Sequence, residues 1–439
     1  MVKQLGLNAL VALIVKAASV LIILSIAIFL DANEYSKFGV YYAVITGVSV
    51  VVQSGALEIG ATIGIGSKLL QRPAMQNLAL VYDQLVLFLT ILCVLPLVII
   101  ICFDEDASAN NVTAVLACAI VGLSVSLGSI KSNLCRMIED NYEAAKELSI
   151  SALVTASGML VGAIYTKSAV GTVYCSALFG FLSLVITRKI NILDVITLNK
   201  INKSLDSVPL IKSIYINYLM ISLLGWLGGY GINIATALLV DPSVVGVYTF
   251  IYTVTSALTM VAAIVNNIWL ARFLNLGESK SSYRDDANKQ VFIAEIIIAF
   301  TVGIFVLMML RFFSTQLSLE VVKGLINKPI EIALLIATII ISIPSWQMQN
   351  YYTREGLAAE YRSVVVNSSV FALTVWIALM QFNGEFGVYV GSFVSALIKT
   401  KMLEKDFFAR WHFYSLLKIA LLASAALITT SLCIVIFFR

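Results

Sequence analysis

A chain of 439 residues is 60% hydrophobic and only 12% charged, against roughly 25% charged in an average soluble domain. That composition excludes an ordinary soluble protein, and the net charge of +4 from 29 basic and 25 acidic residues is too small to argue for a nucleic-acid partner in so apolar a chain. Six cysteines without a C-x-x-C pair and one histidine, His412, exclude a zinc-finger or multi-histidine metal centre. Neither a Gly-x-x-x-x-Gly-Lys-Ser/Thr loop nor a Gly-x-Ser-x-Gly elbow occurs, so nucleotide hydrolysis, covalent chemistry and a resident cofactor are not expected.

A helix needs about 20 apolar residues to cross a ~30 Å hydrocarbon core. That ruler predicts spans at 6–30, 39–66, 78–101, 113–132, 148–166, 169–187, 213–240, 244–270, 290–311, 331–349, 363–381, 387–403 and 414–438. The first follows a short basic start and has no small-residue cleavage site after it, so it reads as a retained helix. With the N-terminus in the cytoplasm, Lys37, Lys167, Lys323, Lys328 and Arg439 are the basic residues on the far side. Lys16 lies within a span, Arg311 at the end of one, and the remaining basic residues fall on the cytoplasmic side. This is the positive-inside pattern.

Landmarks recur at spacings of 207 to 216 residues. Phe38-Gly39-Val40-Tyr41 returns as Val245-Gly246-Val247-Tyr248, each after an aspartate, Asp31 or Asp241. Ala144-Ala145 returns as Ala358-Ala359, Gly171-Thr172-Val173-Tyr174 as Gly387-Val388-Tyr389, and Asp83 as Glu295. The repeat holds six spans, an even number, so both copies have one orientation and are related by an axis along the membrane normal. The expected fold is an all-α polytopic membrane protein of about 12–13 transmembrane helices in two pseudo-symmetric six-helix lobes around a central cavity. The lobes are read as 1–190 and 213–410, joined by a basic cytoplasmic linker at 191–212 and followed by an extra helix at 411–439.

The stretch Leu30-Asp31-Ala32-Asn33-Glu34-Tyr35-Ser36-Lys37-Phe38-Gly39-Val40-Tyr41, with Gly55-Ala56-Leu57-Glu58-Ile59-Gly60-Ala61 after it, resembles the opening of the Wzx-type O-antigen and polysaccharide flippases. These belong to the multidrug/oligosaccharidyl-lipid/polysaccharide exporter (MOP) superfamily. Leu239 to Tyr248 resembles the start of their second lobe. The resemblance implies transfer of undecaprenyl-diphosphate-linked oligosaccharide units, precursors of lipopolysaccharide O-antigen or a related surface polymer, from the cytoplasmic to the periplasmic leaflet of a bacterial inner membrane. Implied partners are that lipid-linked glycan, membrane lipids, a polysaccharide polymerase and a chain-length regulator. The alternative is an ion-coupled multidrug antiporter on the same fold. Two departures stand out: the seventh span has Gly231, Ile232 and Asn233 where such proteins often carry an aspartate, and the span count is thirteen instead of twelve or fourteen.

Lys16 lies ten residues into the first predicted span, about 15 Å deep at 1.5 Å per residue, where a lysine costs about 2.5–3.5 kcal/mol. Such a charge faces water or a partner, so it is read either as a contact for an anionic substrate or as an ion pair with Glu58. Gln53, Asn233, Asn266 and Asn267, with Gln347, are polar groups within spans that suit sugar hydroxyls or interhelix bonds equally. Asp83 and Glu295 are read as the two lips of an inward gate, with Lys131, Arg136 and Arg272 as pairing bases; Glu58 is read as the coupling acid for a proton or sodium gradient. Gly225, Gly228, Gly229 and Gly231 crowd the seventh span, where each weakens a helix by about 1 kcal/mol relative to alanine, marking a hinge or a close-packing seam. Tyr41, Tyr42 and Tyr248 read as interfacial belt residues.

Overall fold

The computed structural model describes residues 2–54, 56, 85, 86, 89–91, 93, 109–137, 141–188, 208–275, 281–316, 328–411 and 416–437. All regular structure among them is helical: α1 Val2–Phe29, α2 Ala32–Gln53, α3 Ala109–Met137, α4 Asn141–Thr166, α5 Ala169–Arg188, α6 Val208–Leu227, α7 Ile232–Leu239, α8 Pro242–Asn275, α9 Ser281–Gln316, α10 Pro329–Arg354, α11 Ala358–Trp411 and α12 Leu416–Phe437. Twelve of the thirteen predicted spans carry one of these helices; of 78–101 only six residues are described, and they are helical. Among the described residues six helices are long and apolar enough to cross a membrane, or seven if a broken pair counts as one span. The chain is a multi-pass membrane protein.

The 54-residue α11 is two helices in one. Gly384 sits inside it at φ 56° and ψ −130°, a left-handed conformation that a side chain disfavours. The arms 358–383 and 385–411 pack on each other through Gly387 and Gly391. A Cβ on Gly387 would collide with the Leu379 carbonyl and one on Gly391 with the Trp376 ring. That ring is held in place, because Trp376 Nε1 donates to the Val388 carbonyl at 2.8 Å.

The chain divides into two compact units. One comprises residues 1–30 and 37–226, the other 31–36 and 227–439. In the first unit α4 packs against α1, α3 and α5. Glycines permit the close approach of α4 and α5: a Cβ on Gly158 would lie 2.7 Å from Phe179 Cβ, and one on Gly162 2.7 Å from the Gly171 carbonyl oxygen. Helix α6 is tied to α2 by Tyr215, whose hydroxyl donates to the Val51 carbonyl at 3.0 Å, and by Trp226, whose Nε1 donates to the Ala43 carbonyl at 3.0 Å.

In the second unit α10 is the central helix, packed against α8, α9, α11 and α12. It is buried on all sides over most of 332–353, and a helix apolar all round is the sequence form of such a core. Helix α12 runs along it. Ser424 Oγ reaches the Ala337 carbonyl at 3.5 Å, Ser431 Oγ the Pro329 carbonyl at 3.0 Å, and Leu417 packs with Ile341 and Ala396. Glu404, buried on α11, accepts the Leu417 backbone N–H at 3.0 Å, satisfying one of the orphan donors at the α12 start.

The aspartates of the repeat have a structural role. Asp31 Oδ1 accepts the Glu34 N–H at 2.8 Å at the start of α2, and Asp241 Oδ1 accepts the Ser243 N–H at 2.7 Å at the start of α8. Both are helix N-caps. Hydrogen bonds from the Ser243 hydroxyl and N–H hold the Asp241 carboxyl below its usual range. Residues 31–36 group with α8, and a Cβ on Gly246 would come within 2.7 Å of Ser36 Oγ.

Candidate functional site

A polar cluster stands inside the second unit where α8, α9 and α10 meet. Glu295 on α9 is fully buried, and its Oε2 accepts a hydrogen bond from Gln347 Nε2 at 2.8 Å. The same amide nitrogen donates to Asn266 Oδ1 at 3.2 Å, to which Asn350 Nδ2 also donates at 2.8 Å. Asn350 Nδ2 lies 3.5 Å from Gln347 Oε1 as well. Glu295 Oε1 is buried without a hydrogen-bond partner among the described residues. The sequence places these groups simply: Gln347 and Asn350 are an i, i+3 pair on the central helix, three residues beyond Pro344.

The face of α9 bearing Glu295 continues as a polar stripe towards the start of the helix. Asp285, Asn288, Phe292 and Glu295 follow the 3,4,3 spacing of one helical face. Asp285 Oδ1 accepts the Tyr351 hydroxyl at 2.9 Å and Asn288 Oδ1 accepts Trp269 Nε1 at 2.7 Å. Buried Phe292 separates these two from Glu295. At the same end Arg354 Nη1 donates to the Phe273 carbonyl at 2.7 Å, and Tyr352 donates to Asp406 at 2.5 Å.

Of the site residues read from sequence, this cluster brings together Glu295 and Asn266, with Gln347. Asn233 is buried apart from it and donates to Thr249 Oγ1 at 3.0 Å, joining α7 to α8. Gln53 is half-buried at the end of α2 and Lys131 half-buried on α3. Lys16 falls within α1, Arg136 within α3, and Asn267 and Arg272 within α8, their side chains outside the described residues; Glu58 and Asp83 lie outside them altogether. The sequence reading missed Asn350, Asn288, Trp269, Asp285 and Tyr351, which sit at or beyond the ends of the apolar runs. The placing of Asp285, Asn288 and Glu295 on one face of α9, three and seven residues apart, was the available signal.

The glycine-rich stretch breaks its span. Helix α6 ends at Leu227 and α7 begins at Ile232, with turns through Gly228, Gly229, Tyr230 and Gly231. The boundary between the two units, Trp226 to Leu227, falls at this break. Among the described residues a Cβ on Gly225 would meet nothing within 4 Å, so this glycine serves no close packing against them. Tyr248, expected at the interface, is instead fully buried. It stacks on Tyr252 at 5.6 Å between ring centroids, with Tyr389 at 5.9 Å, because it faces the interior of its unit.

No protein-family profile matches the sequence, and no curated protein does. Solved structures do match over nearly the whole chain. The eukaryotic MATE transporter AtDTX14 aligns with a TM-score of 0.57 and 14% identity, covering 97% of this chain and 98% of its own. An outward-facing multidrug resistance MATE family transporter of the MOP superfamily aligns with a TM-score of 0.59 and 14% identity, over 98% and 97%. A MOP superfamily transporter from Pyrococcus furiosus, described by the reverse polarity of its binding pocket and a different function that this suggests, aligns with a TM-score of 0.55 and 14% identity, over 93% and 96%. The chain therefore has the all-helical fold of the MOP superfamily transporters.

Proposed function

We propose that this chain is a secondary exporter that couples an ion gradient to alternating access, with Glu295 as the coupling acid. The carrying observation is the cluster itself, a buried carboxylate with carboxamide partners inside membrane-spanning helices. Holding an ionised carboxylate away from water without a counter-charge costs several kcal/mol. A site of that kind changes occupancy when access to water changes, and this links an ion to a conformational cycle. The sequence reading gave the coupling role to Glu58, which lies outside the described residues; the reading proposed here gives it to Glu295, and no covalent chemistry is required.

For the cargo, the solved structures favour the second expectation from the sequence. The names of the two matched MATE proteins are those of transporters, one of them a multidrug resistance transporter, and they support export of small organic molecules. One feature of this chain favours the flippase reading: α1 carries Lys3 and Lys16 and no acidic residue. Such a helix suits an anionic diphosphate-linked oligosaccharide better than a cationic drug.

A deletion strain tests both. Sensitivity to cationic drugs that is rescued by the wild type and not by Glu295→Gln supports drug export. Lipid-linked oligosaccharide held in the inner leaflet, with loss of surface polysaccharide, supports the flippase. A deletion that changes neither removes both cargo classes.

A further inference from the structure

We propose that Lys399, with the hydroxyls of Ser395 and Ser369, forms an anion site inside the second unit that takes a phosphate group carried on a lipid. Its place follows from the two arms of α11. Gly387 and Gly391 meet the first arm at Leu379 and Trp376, and the same i, i+4 row continues through Ser395 to Lys399. The arms run antiparallel, so from Leu379 and Trp376 the register passes Ala372 and reaches Ser369 at the level of Lys399, both of them buried. Beside this row the second arm bonds α10: Ser392 Oγ lies 3.4 Å from Thr338 Oγ1, and Thr400 Oγ1 donates to the Ile341 carbonyl at 3.0 Å. Lys399 therefore stands where the two arms and α10 adjoin, on a face whose Val388, Ser392, Ala396 and Leu403 are buried. Lys401 and Lys405 are on the exposed side. The Lys399 side chain is enclosed by protein while solvent reaches part of it, as in a crevice.

Among the described residues nothing neutralises this charge. No hydrogen bond or ion pair holds Lys399 or Ser395 there, and the Ser369 hydroxyl is buried without a partner among them. The acids of the packed elements are committed elsewhere. Glu404 takes the Leu417 N–H and Lys401, Asp406 takes Tyr352 and Arg410, and Glu295 takes Gln347. An ammonium enclosed by protein without a counter-charge is costly, and a phosphate supplies both the charge and the acceptor oxygens for its three N–H groups and the two hydroxyls. Lys399 lies four residues before the end of the span 387–403, about 6 Å inside it, on the side that the positive-inside pattern gives to the cytoplasm. The anions at that depth are lipid phosphates, those of membrane phospholipids or the diphosphate of a lipid-linked glycan. The coupling role of Glu295 has no part in this site, and only the second source touches the flippase reading.

Native mass spectrometry of the full chain in detergent, with phosphatidylglycerol added, reads the site without transport. The expected result is one phosphatidylglycerol held more tightly than the rest, weakened about tenfold or more in Lys399→Gln, kept in Lys399→Arg and unchanged in Lys401→Gln. Displacement of that lipid by undecaprenyl diphosphate upholds the site and gives it to the diphosphate source; no displacement upholds it and gives it to membrane phospholipid. Should Lys399→Gln fail to accumulate, acetylation of the wild-type protein in detergent reads the same contact, with phosphatidylglycerol expected to protect Lys399 and to leave Lys401 reactive. Equal retention of the lipid by wild type and Lys399→Gln, or equal acetylation of Lys399 with and without phosphatidylglycerol, would overturn the proposal.

Discussion

Oε2 of Glu295 lies 2.8 Å from Nε2 of Gln347, and this bond between α9 and α10 decides how a change at either end is felt. Gln347→Leu leaves a buried carboxylate without its donor and should cost about 1–3 kcal/mol, the penalty of an unsatisfied buried polar group. Adding Glu295→Leu removes the orphan, so the double variant should be less destabilised than the two singles added together. Thermal unfolding in detergent measures the cycle; strict additivity would show that the two residues do not interact.

Gly225 and Gly391 should respond oppositely to alanine. Among the described residues nothing lies within 4 Å of a Cβ on Gly225, so Gly225→Ala should leave abundance unchanged and stability unchanged or raised by up to about 1 kcal/mol from helix propensity. If the adjoining break is a hinge, the same variant should transport more slowly. Gly391→Ala puts a methyl group into the Trp376 ring, which is pinned by its bond to Val388, and should lower abundance outright. Unimpaired transport by Gly225→Ala with normal expression would count against the hinge.

Apolar run length alone located the helices, because lipid leaves few alternatives for a backbone that must satisfy its own hydrogen bonds. The same uniformity hid what each face touches. Nothing in the composition of 244–270 distinguishes Tyr248, buried against Tyr252 and Tyr389, from a residue at the interface. Glu295 was legible as an acid inside a span, but its partners come from α8 and α10, and without an alignment their convergence exists only in the fold. The recurring aspartates could be seen as a repeat; that they are helix caps follows only from the bonds to Glu34 and Ser243.

Asp241 gives a pH signature outside the membrane. Its folded pKa is depressed by the Ser243 bonds, so its contribution to stability is present above the unfolded value of about 3.9 and is lost as pH falls through the lower folded value. Wild-type Tm should therefore fall more steeply than that of Asp241→Asn as the buffer is taken below about pH 4. Parallel curves for the two proteins would dismiss the cap as a source of acid sensitivity.

Glu404 should matter more through the oxygen that takes the Leu417 N–H than through its pairing with Lys401. Its Oε1 takes the Leu417 N–H, whereas Oε2 pairs with Lys401, an exposed side chain 3.4 Å away. Glu404→Ala should cost about 1–3 kcal/mol and speed amide exchange in the first turn of α12. Lys401→Ala should stay within about 1 kcal/mol of wild type, as surface ion pairs do. Equal effects of the two substitutions would reverse the assignment.

Residues 31–36 group with a unit whose other members all follow Trp226 in the chain, and this imposes an order on biosynthesis. Ser36 leaves the ribosome well before Gly246, whose close approach it meets in the finished fold. At about 5–20 residues per second the interval is roughly 10–40 s. During that time the turn between α1 and α2 has already been made while the helix that covers it does not yet exist. A nascent chain halted before α8 would therefore expose Tyr35, which is fully buried in the complete protein and packs its ring against Phe250 of α8, and membrane chaperones or quality-control proteases would meet it there.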